Sequence, residues 1–365
     1  MQKPFTLGVL TSGGDCAGLN AVIRAVTTYA IRHYGWRVVG ILDGTLGLME
    51  RPLRTRELTL NSVDDRALRE GGTLLGTTTK GDPFAFVMPD GSVRDRSQDF
   101  AEGVKETGLD ALIVIGGDGS MRISARLCGE AGIGMVGVPK TIDNDVHGTE
   151  YAVGFATAIN VVVDALDRLQ PTAASHHRVM ILETMGRDTG HIALNGGIAG
   201  GADVILIPEL PYTLEGVAAR IQEVLTHSRP HALVVIAEGV RTMEGIAVRA
   251  GHKGGAGLVG SYGGIGHYLA EAITELTGAE TRVTILGHVQ RGGTPSPRDR
   301  LVASSFGVHA VRLVAEGKLG RMVAWQNRAV VDVPLSDVTI GARAVAADDP
   351  LLVTARGLGI YVGEA

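Results

Sequence analysis

Ala111-Leu112-Ile113-Val114-Ile115-Gly116-Gly117-Asp118-Gly119-Ser120 is the stretch that decides how this chain is read. Its first five residues are apolar, too few for a helix and without an alternating polar face, the pattern of a strand covered on both sides. The glycines end that run sharply. Met121 to Ala131 then places apolar residues at helical spacing, and Met135 to Val138 forms a second short apolar run. Strand, glycine turn, helix and strand are the repeating parts of a parallel sheet.

The same alternation extends in both directions. Leu7 to Thr11, Val38 to Leu42, Val179 to Leu182, Val204 to Ile207, Leu233 to Ala237 and Val283 to Leu286 read as further buried strands. Ala21 to Arg32, Ala158 to Leu169, Leu214 to Leu225 and Arg300 to Ala315 read as helices between them. The expected class is α/β. At roughly 150 residues per domain, 365 residues suggest two domains. No linker rich in Ser, Pro or charge divides them, so the second domain is expected to be entered and left by crossing strands. Ala250 to Gly266 is the loosest stretch, with a Gly-Gly-Ala-Gly centre that reads as a mobile loop.

Composition narrows the chemistry. The chain holds 52 glycines, about 14% of its residues and about twice the usual share, yet they show no three-residue period and come with only 13 prolines. They belong in turns and at close backbone approaches. With 34 Lys+Arg against 39 Asp+Glu, the net charge is −5, and no basic footprint for nucleic acid or an anionic membrane is present. A small-molecule partner is expected instead. Two cysteines, Cys16 and Cys128, are too few for a disulfide framework or a paired-cysteine zinc site. There is no membrane-length apolar run, and the expected location is the cytoplasm.

In parallel sheets ligands bind beyond the carboxyl ends of the strands. Those exits are unusually polar here: Ser12-Gly13-Gly14-Asp15, Gly116 to Ser120, Pro139-Lys140-Thr141-Ile142-Asp143-Asn144-Asp145, Glu183-Thr184-Met185-Gly186-Arg187, Glu238-Gly239 and Gly287-His288-Val289-Gln290-Arg291-Gly292-Gly293. A glycine loop before a helix lets backbone N–H groups approach a phosphate, and the helix N-terminus adds partial positive charge. The plainer account is a tight turn with a capping carboxylate. No P-loop motif is present, and no Gly-x-Gly-x-x-Gly follows a strand as a dinucleotide fold requires.

Asp118 inside such a loop would repel a phosphate unless Mg²⁺ lay between them, since Mg²⁺ usually takes one or two carboxylates plus phosphate oxygens. A helix cap is its competing role. Asp143 and Asp145 flank Asn144 at a strand exit with Lys140 upstream, which suits a proton acceptor beside a charge stabiliser; a structural Asx-turn is the alternative. Arg178, Arg187, Arg282 and Arg291 stand at strand starts or exits, where arginine forks suit phosphate. His288 is placed to join the same anion. His176 and His177 lack a third ligand at metal spacing and read as loop residues. Cys16 borders the first glycine loop, where an inert thiol is expected and a modifiable one is the alternative.

Together, in order from about Thr6 to Gly320, Leu10 to Asp15, Gly116 to Ser120, Pro139 to Asp145, Met185-Gly186-Arg187 and Gly287 to Gly293 resemble the 6-phosphofructokinase family, whose members use ATP or pyrophosphate. The resemblance implies two doubly wound α/β domains with the active site between them: residues 1–154 plus about 290–340 for the nucleotide, and about 155–289 plus 341–365 for fructose 6-phosphate. It implies that Gly13, Gly117, Gly119 and Ser120 hold nucleotide phosphates and that Asp118 holds Mg²⁺. Asp143 would take the proton from the sugar 1-hydroxyl, with Thr141 nearby and Asp145 supporting, and Arg187 would stabilise the transferring phosphoryl group. Met185, Gly186, Glu238, His288 and Arg291 would grip the sugar phosphate. Arg178 and Arg282 would reach in from a neighbouring subunit of a homodimer or homotetramer.

The match has departures. Lys140 stands where typical bacterial ATP-dependent members have glycine; lysine there resembles pyrophosphate-dependent members and a mixed-substrate group of long-chain relatives, which points toward pyrophosphate. Gly119 points the other way, because pyrophosphate users tend to carry aspartate there, crowding the α-phosphate of ATP. Gly119 weighs more, and ATP is the expected donor. Lys80 takes the place of a nucleotide-binding arginine. Arg24 matches one effector-site arginine, but the residue a turn later is Thr28 and the basic run before the seventh strand is reduced to Ser228-Arg229-Pro230, so the usual bacterial regulation is not expected. A different kinase sharing the Asp118 loop, or a non-catalytic sugar-phosphate sensor, fits the remaining motifs less well.

Overall fold

The computed structural model describes residues 4–79, 81–248 and 263–364. Among these, the strands in chain order are β1 (Thr6–Thr11), β2 (Arg37–Ile41), β3 (Thr55–Leu58), β4 (Phe86–Val87), β5 (Val93–Arg94), β6 (Ala111–Gly116), β7 (Gly134–Pro139), β8 (Val179–Thr184), β9 (Val204–Leu206), β10 (Ala232–Ala237), β11 (Thr281–Ile285), β12 (Arg321–Gln326) and β13 (Ala329–Pro334). The chain divides into two compact units, residues 1–157 with 291–342 and residues 158–290 with 343–365.

The first unit carries a seven-stranded sheet in the order β13-β12-β7-β6-β1-β2-β3, parallel except where β13 and β3 run antiparallel at the edges. Every residue of β1 and β6 is buried, which requires cover on both faces. Helix Leu19–Tyr34 packs against helix Pro297–Ala315, and helix Ser97–Thr107 against helix Asp118–Ala131. Phe100, Leu112, Val114 and Met121 fill one core cluster with Leu10 and Met322. Truncating a fully buried side chain such as Phe100 to alanine costs about 3–5 kcal/mol.

From β1 the chain moves to β2 on one side and later places β6 on the other, so the strand order reverses between β1 and β6. The second unit has a four-stranded parallel sheet, β11-β8-β10-β9, whose order reverses between β8 and β11. Open parallel sheets bind ligands at the carboxyl side of such reversals. Both reversals fall beside loops that the sequence marks as chemical.

Candidate active site

At the first reversal the loops after β1, β6 and β7 are tied together by backbone. Ser12 N–H donates to Ile115 O at 2.9 Å, and Lys140 N–H donates to Gly116 O at 2.9 Å. The buried Lys140 ammonium donates to Gly14 O. Burial pulls its pKa below the usual lysine range, and Arg291 adds to that effect against the pull of Asp143 and Asp15. The Arg291 guanidinium lies over Gly14 and donates to Asp15 O at 3.1 Å; any side chain at Gly14 would overlap it. The two glycines of the first loop therefore differ: Gly13, at φ 85°, serves the turn, and Gly14 makes room for a cation.

Helix Asp118–Ala131 begins at the second loop. Its N-cap is Gly117, and no side chain caps it. Asp118 is thus the first helical residue, and its carboxylate has no hydrogen bond or ion pair among the described residues, so the capping role is not what the structure shows. A Cβ built on Gly119 would meet nothing within 4 Å. Neither packing nor a left-handed backbone requires glycine there, although glycine in a helix costs about 1 kcal/mol relative to alanine. The open space lies at the positive end of the helix, beside an uncommitted carboxylate and Ser120. Among the described residues no three His, Cys, Asp or Glu side chains gather as a metal cage. One carboxylate with the rest of the shell from phosphate and water is the donor set that Mg²⁺ accepts, so the residues fit that ion.

The third loop holds Asp143, Asn144 and Asp145, all buried. Asn144 has φ 53° and is the structural member: its amide donates to Glu150 O at 3.0 Å and accepts from Ala152 N–H at 2.8 Å. Thr141 Oγ1 accepts from Asp143 N–H at 3.1 Å and donates to its carboxylate at 3.4 Å. Residues 152–157 flank this loop, with Thr141 N–H donating to Val153 O at 3.1 Å. That flank is fastened by Asp299, a wholly buried carboxylate that accepts from Gly154 N–H at 2.9 Å and from Thr157 N–H at 2.7 Å. Burial pushes the Asp299 pKa up against these hydrogen bonds. Burial also pushes the Cys16 thiol up to about 12.

In the second unit, Met185, Gly186 and Arg187 follow β8. Arg187 has φ 52°, a costly backbone state for arginine, and its N–H donates to Glu238 Oε1 at 3.1 Å. Gln290, in the 3₁₀ turn Gly287–Arg291, accepts from Met185 N–H at 2.6 Å. His288 is exposed in that turn. Glu183, buried at the end of β8, accepts from Gly264 and Gly266 N–H at 3.0 and 2.9 Å and caps helix Ile265–Thr277. Arg178 and Arg282 stand at the opposite, amino edge of the sheet and share one carboxylate, Glu280.

Some expectations change. His176 ends helix Phe155–His176 rather than lying in a loop, while His177 makes the turn after it at φ 54°. Arg24 is paired with Asp65 at 3.1 Å. Lys80 and most of the glycine-rich Ala250 to Gly266 stretch lie outside the described residues. Sequence reasoning missed Asp299, Gln290, Glu183 and Glu280. Of these, Glu183 and Gln290 stand inside the polar strand exits without a role of their own, and Asp299 carries a local signal, a Ser296-Pro297-x-Asp299 helix start.

The phosphofructokinase family model matches residues 6–314. The chain belongs to the phosphofructokinase family. It is 55% identical over 358 residues to a protein named ATP-dependent 6-phosphofructokinase 1 from Synechocystis, covering 98% of each chain. Among solved structures, Pichia pastoris phosphofructokinase in the T-state superposes with a TM-score of 0.80 at 29% identity over 93% of this chain, which spans only 36% of that longer one. A pyrophosphate-dependent phosphofructokinase from Marinobacter aquaeolei gives a TM-score of 0.79 at 20% identity over 99% of this chain and 89% of that one, a likeness of fold. Among the described residues no helix is long and apolar enough to cross a membrane.

Proposed function

We propose that this protein is an ATP-dependent 6-phosphofructokinase that phosphorylates fructose 6-phosphate at the 1-hydroxyl to fructose 1,6-bisphosphate, the committed step of glycolysis, in the cytoplasm. The observation that carries the reading is the β1/β6 reversal, where Asp118 is left out of helix capping and Gly119 opens the space beside it. Gly13, Gly117, Gly119 and Ser120 bind the nucleotide phosphates, with Lys80 adding charge. Asp118 holds Mg²⁺, which neutralises charge on the phosphates when bound.

Asp143 accepts the proton of the 1-hydroxyl, oriented by Thr141 and supported by Asp145. Lys140 fixes the β1 loop against the β7 loop through Gly14 O. Arg187 stabilises the transferring phosphoryl group, and Met185, Gly186, Glu238, His288 and Arg291 hold the sugar phosphate. Residues 1–157 with 291–342 serve mainly the nucleotide and residues 158–290 with 343–365 mainly the sugar.

Arg178 and Arg282 lie at the amino edge of their sheet, while Met185 and Glu238 lie at its carboxyl edge, six residues of β8 away. At about 3.3 Å per residue that is about 20 Å, beyond reach of one small ligand. This supports a homodimer or homotetramer in which the two arginines complete the neighbouring copy's site.

The test is purified protein with Mg²⁺ and fructose 6-phosphate, supplied with ATP or pyrophosphate in parallel. Fructose 1,6-bisphosphate is expected with ATP at a rate well above that with pyrophosphate. Preference for pyrophosphate would reverse the choice of donor, and no product with either would overturn the kinase reading.

A further inference from the structure

Arg178 and Arg282 are held by one residue. Glu280 Oε2 accepts from Arg178 Nε at 2.8 Å, and Glu280 Oε1 accepts from Arg282 Nη2. The backbone beneath is equally defined: Val179 N–H donates to Glu280 O at 3.0 Å, and Arg178 N–H donates to Ala173 O at 3.0 Å. Arg282 Nη1 also donates to Thr281 O at 2.9 Å. Both terminal nitrogens of Arg178 and the Nε of Arg282 remain without a partner among the described residues. Two guanidinium groups brought together repel each other, and each long side chain must give up rotamer freedom to stay in place. A bridging carboxylate meets both costs before any ligand arrives.

We propose that Glu280 is a positioning residue that presents Arg178 and Arg282 as a paired fork for the phosphate of fructose 6-phosphate in the neighbouring copy. This rests on the function proposed above. The same carboxylate carries a charge of the ligand's own sign, so two effects oppose one another. As a positioner Glu280 tightens sugar-phosphate binding; as a competitor for the arginine donors it weakens it. The bridge engages Arg178 through Nε alone and leaves the bidentate end of that guanidinium for phosphate, which favours positioning.

The experiment is Glu280→Gln in the full-length protein, with fructose 6-phosphate binding by calorimetry read beside steady-state kinetics. The expected result is a rise of about tenfold in both the KM and the Kd for fructose 6-phosphate, with kcat and the KM for ATP held within about twofold. A fall or no change in the sugar-phosphate constants overturns the proposal. In an Arg178→Ala background, Glu280→Gln is expected to add less than about twofold, and a full additional tenfold loss there would show that Glu280 acts elsewhere. Size-exclusion chromatography checks that the variant assembles like the wild type; altered assembly would make Glu280 an assembly residue and overturn its positioning role. A wild type that neither binds nor phosphorylates fructose 6-phosphate overturns the proposed function itself, a result distinct from a working wild type that Glu280→Gln leaves unchanged.

Discussion

The two sheets build their sites from different materials. In the first unit, glycines and backbone knit the loops after β1, β6 and β7 together, and the principal buried cation is held by a carbonyl, Gly14 O. In the second, carboxylates do the arranging: Glu238 receives the Arg187 backbone, Glu183 receives the start of helix Ile265–Thr277, and Glu280 holds Arg178 with Arg282. Backbone donors suit a run of phosphates that must approach closely, while paired arginines suit a single terminal phosphate. The lesson is that, apart from the groups that act in the reaction itself, the frame of the first site is sensitive to added side chains and that of the second to lost charges.

The largest effect expected is at the first site, where one carboxylate is asked to move a proton. Asp143→Ser should lower kcat by about 10² to 10⁴-fold while the KM for fructose 6-phosphate changes little. Steady-state assays decide this, and a variant that kept near wild-type turnover would remove Asp143 as the base. Asp143 is well suited to the test because Asn144, its neighbour, carries the loop's structural hydrogen bonds and is left in place.

A smaller, selective effect is expected at Gly119. A side chain there meets no protein atom, so Gly119→Asp should fold normally and act only on what occupies the open space. The catalytic efficiency with ATP should fall at least about tenfold more than that with pyrophosphate, because an added carboxylate repels the α-phosphate that pyrophosphate lacks. Equal losses with both donors would remove Gly119 as the determinant of donor choice.

The same contrast explains what was legible in the chain beforehand. Eight parallel strands are legible as apolar runs, seven of them largely buried and the eighth, β11, an edge strand of partly exposed residues, and most of the chemical loops follow directly at their ends. The strands that went unread are edge or hairpin elements. Residues of β13 are mostly half-buried, and β12 and β13 are joined by Asn327 and Arg328 at φ 48° and 65°. That tight hairpin turn normally uses glycine at its second position, so arginine hid it. Strands β4 and β5 are two residues each, too short for any period to show.

Site residues divided along the same line. Gly13, Asp118 and Asp143, the residues proposed for phosphate, Mg²⁺ and the proton, sit inside compact motifs whose resemblance to the family points to them. Glu280 and Gln290 act through partners more than 100 positions away, Arg178 and Met185, and only the fold brings those pairs together. Gln290 was in view as part of the Gly287 to Gly293 segment, yet its service to the Met185 backbone has no local trace. The motif alone groups Arg291 with the sugar-binding residues, and its position over Gly14 reflects a packing that a linear motif cannot encode.

The smallest effect expected concerns how the second unit responds to acid. His191 is buried and its Nε2 faces Arg343 O at 2.9 Å. Burial pulls its pKa below the usual 6.5, and nearby Arg343 adds to this, against the hydrogen bond to the Arg343 carbonyl and the charges of Glu209 and Asp349. A histidine whose folded pKa lies below its unfolded one contributes stability above pH 6.5, and that contribution is lost as pH falls through the folded value. The melting temperature should therefore drop between pH 7 and pH 5. His191→Gln keeps a donor for Arg343 O without a titrating ring, so it should reduce that drop by about 2 °C. The slope should not vanish, because burial lowers the His231 pKa in the same unit. Thermal melts of both proteins across this range measure it, and parallel slopes would show that His191 does not set the second unit's response to acid.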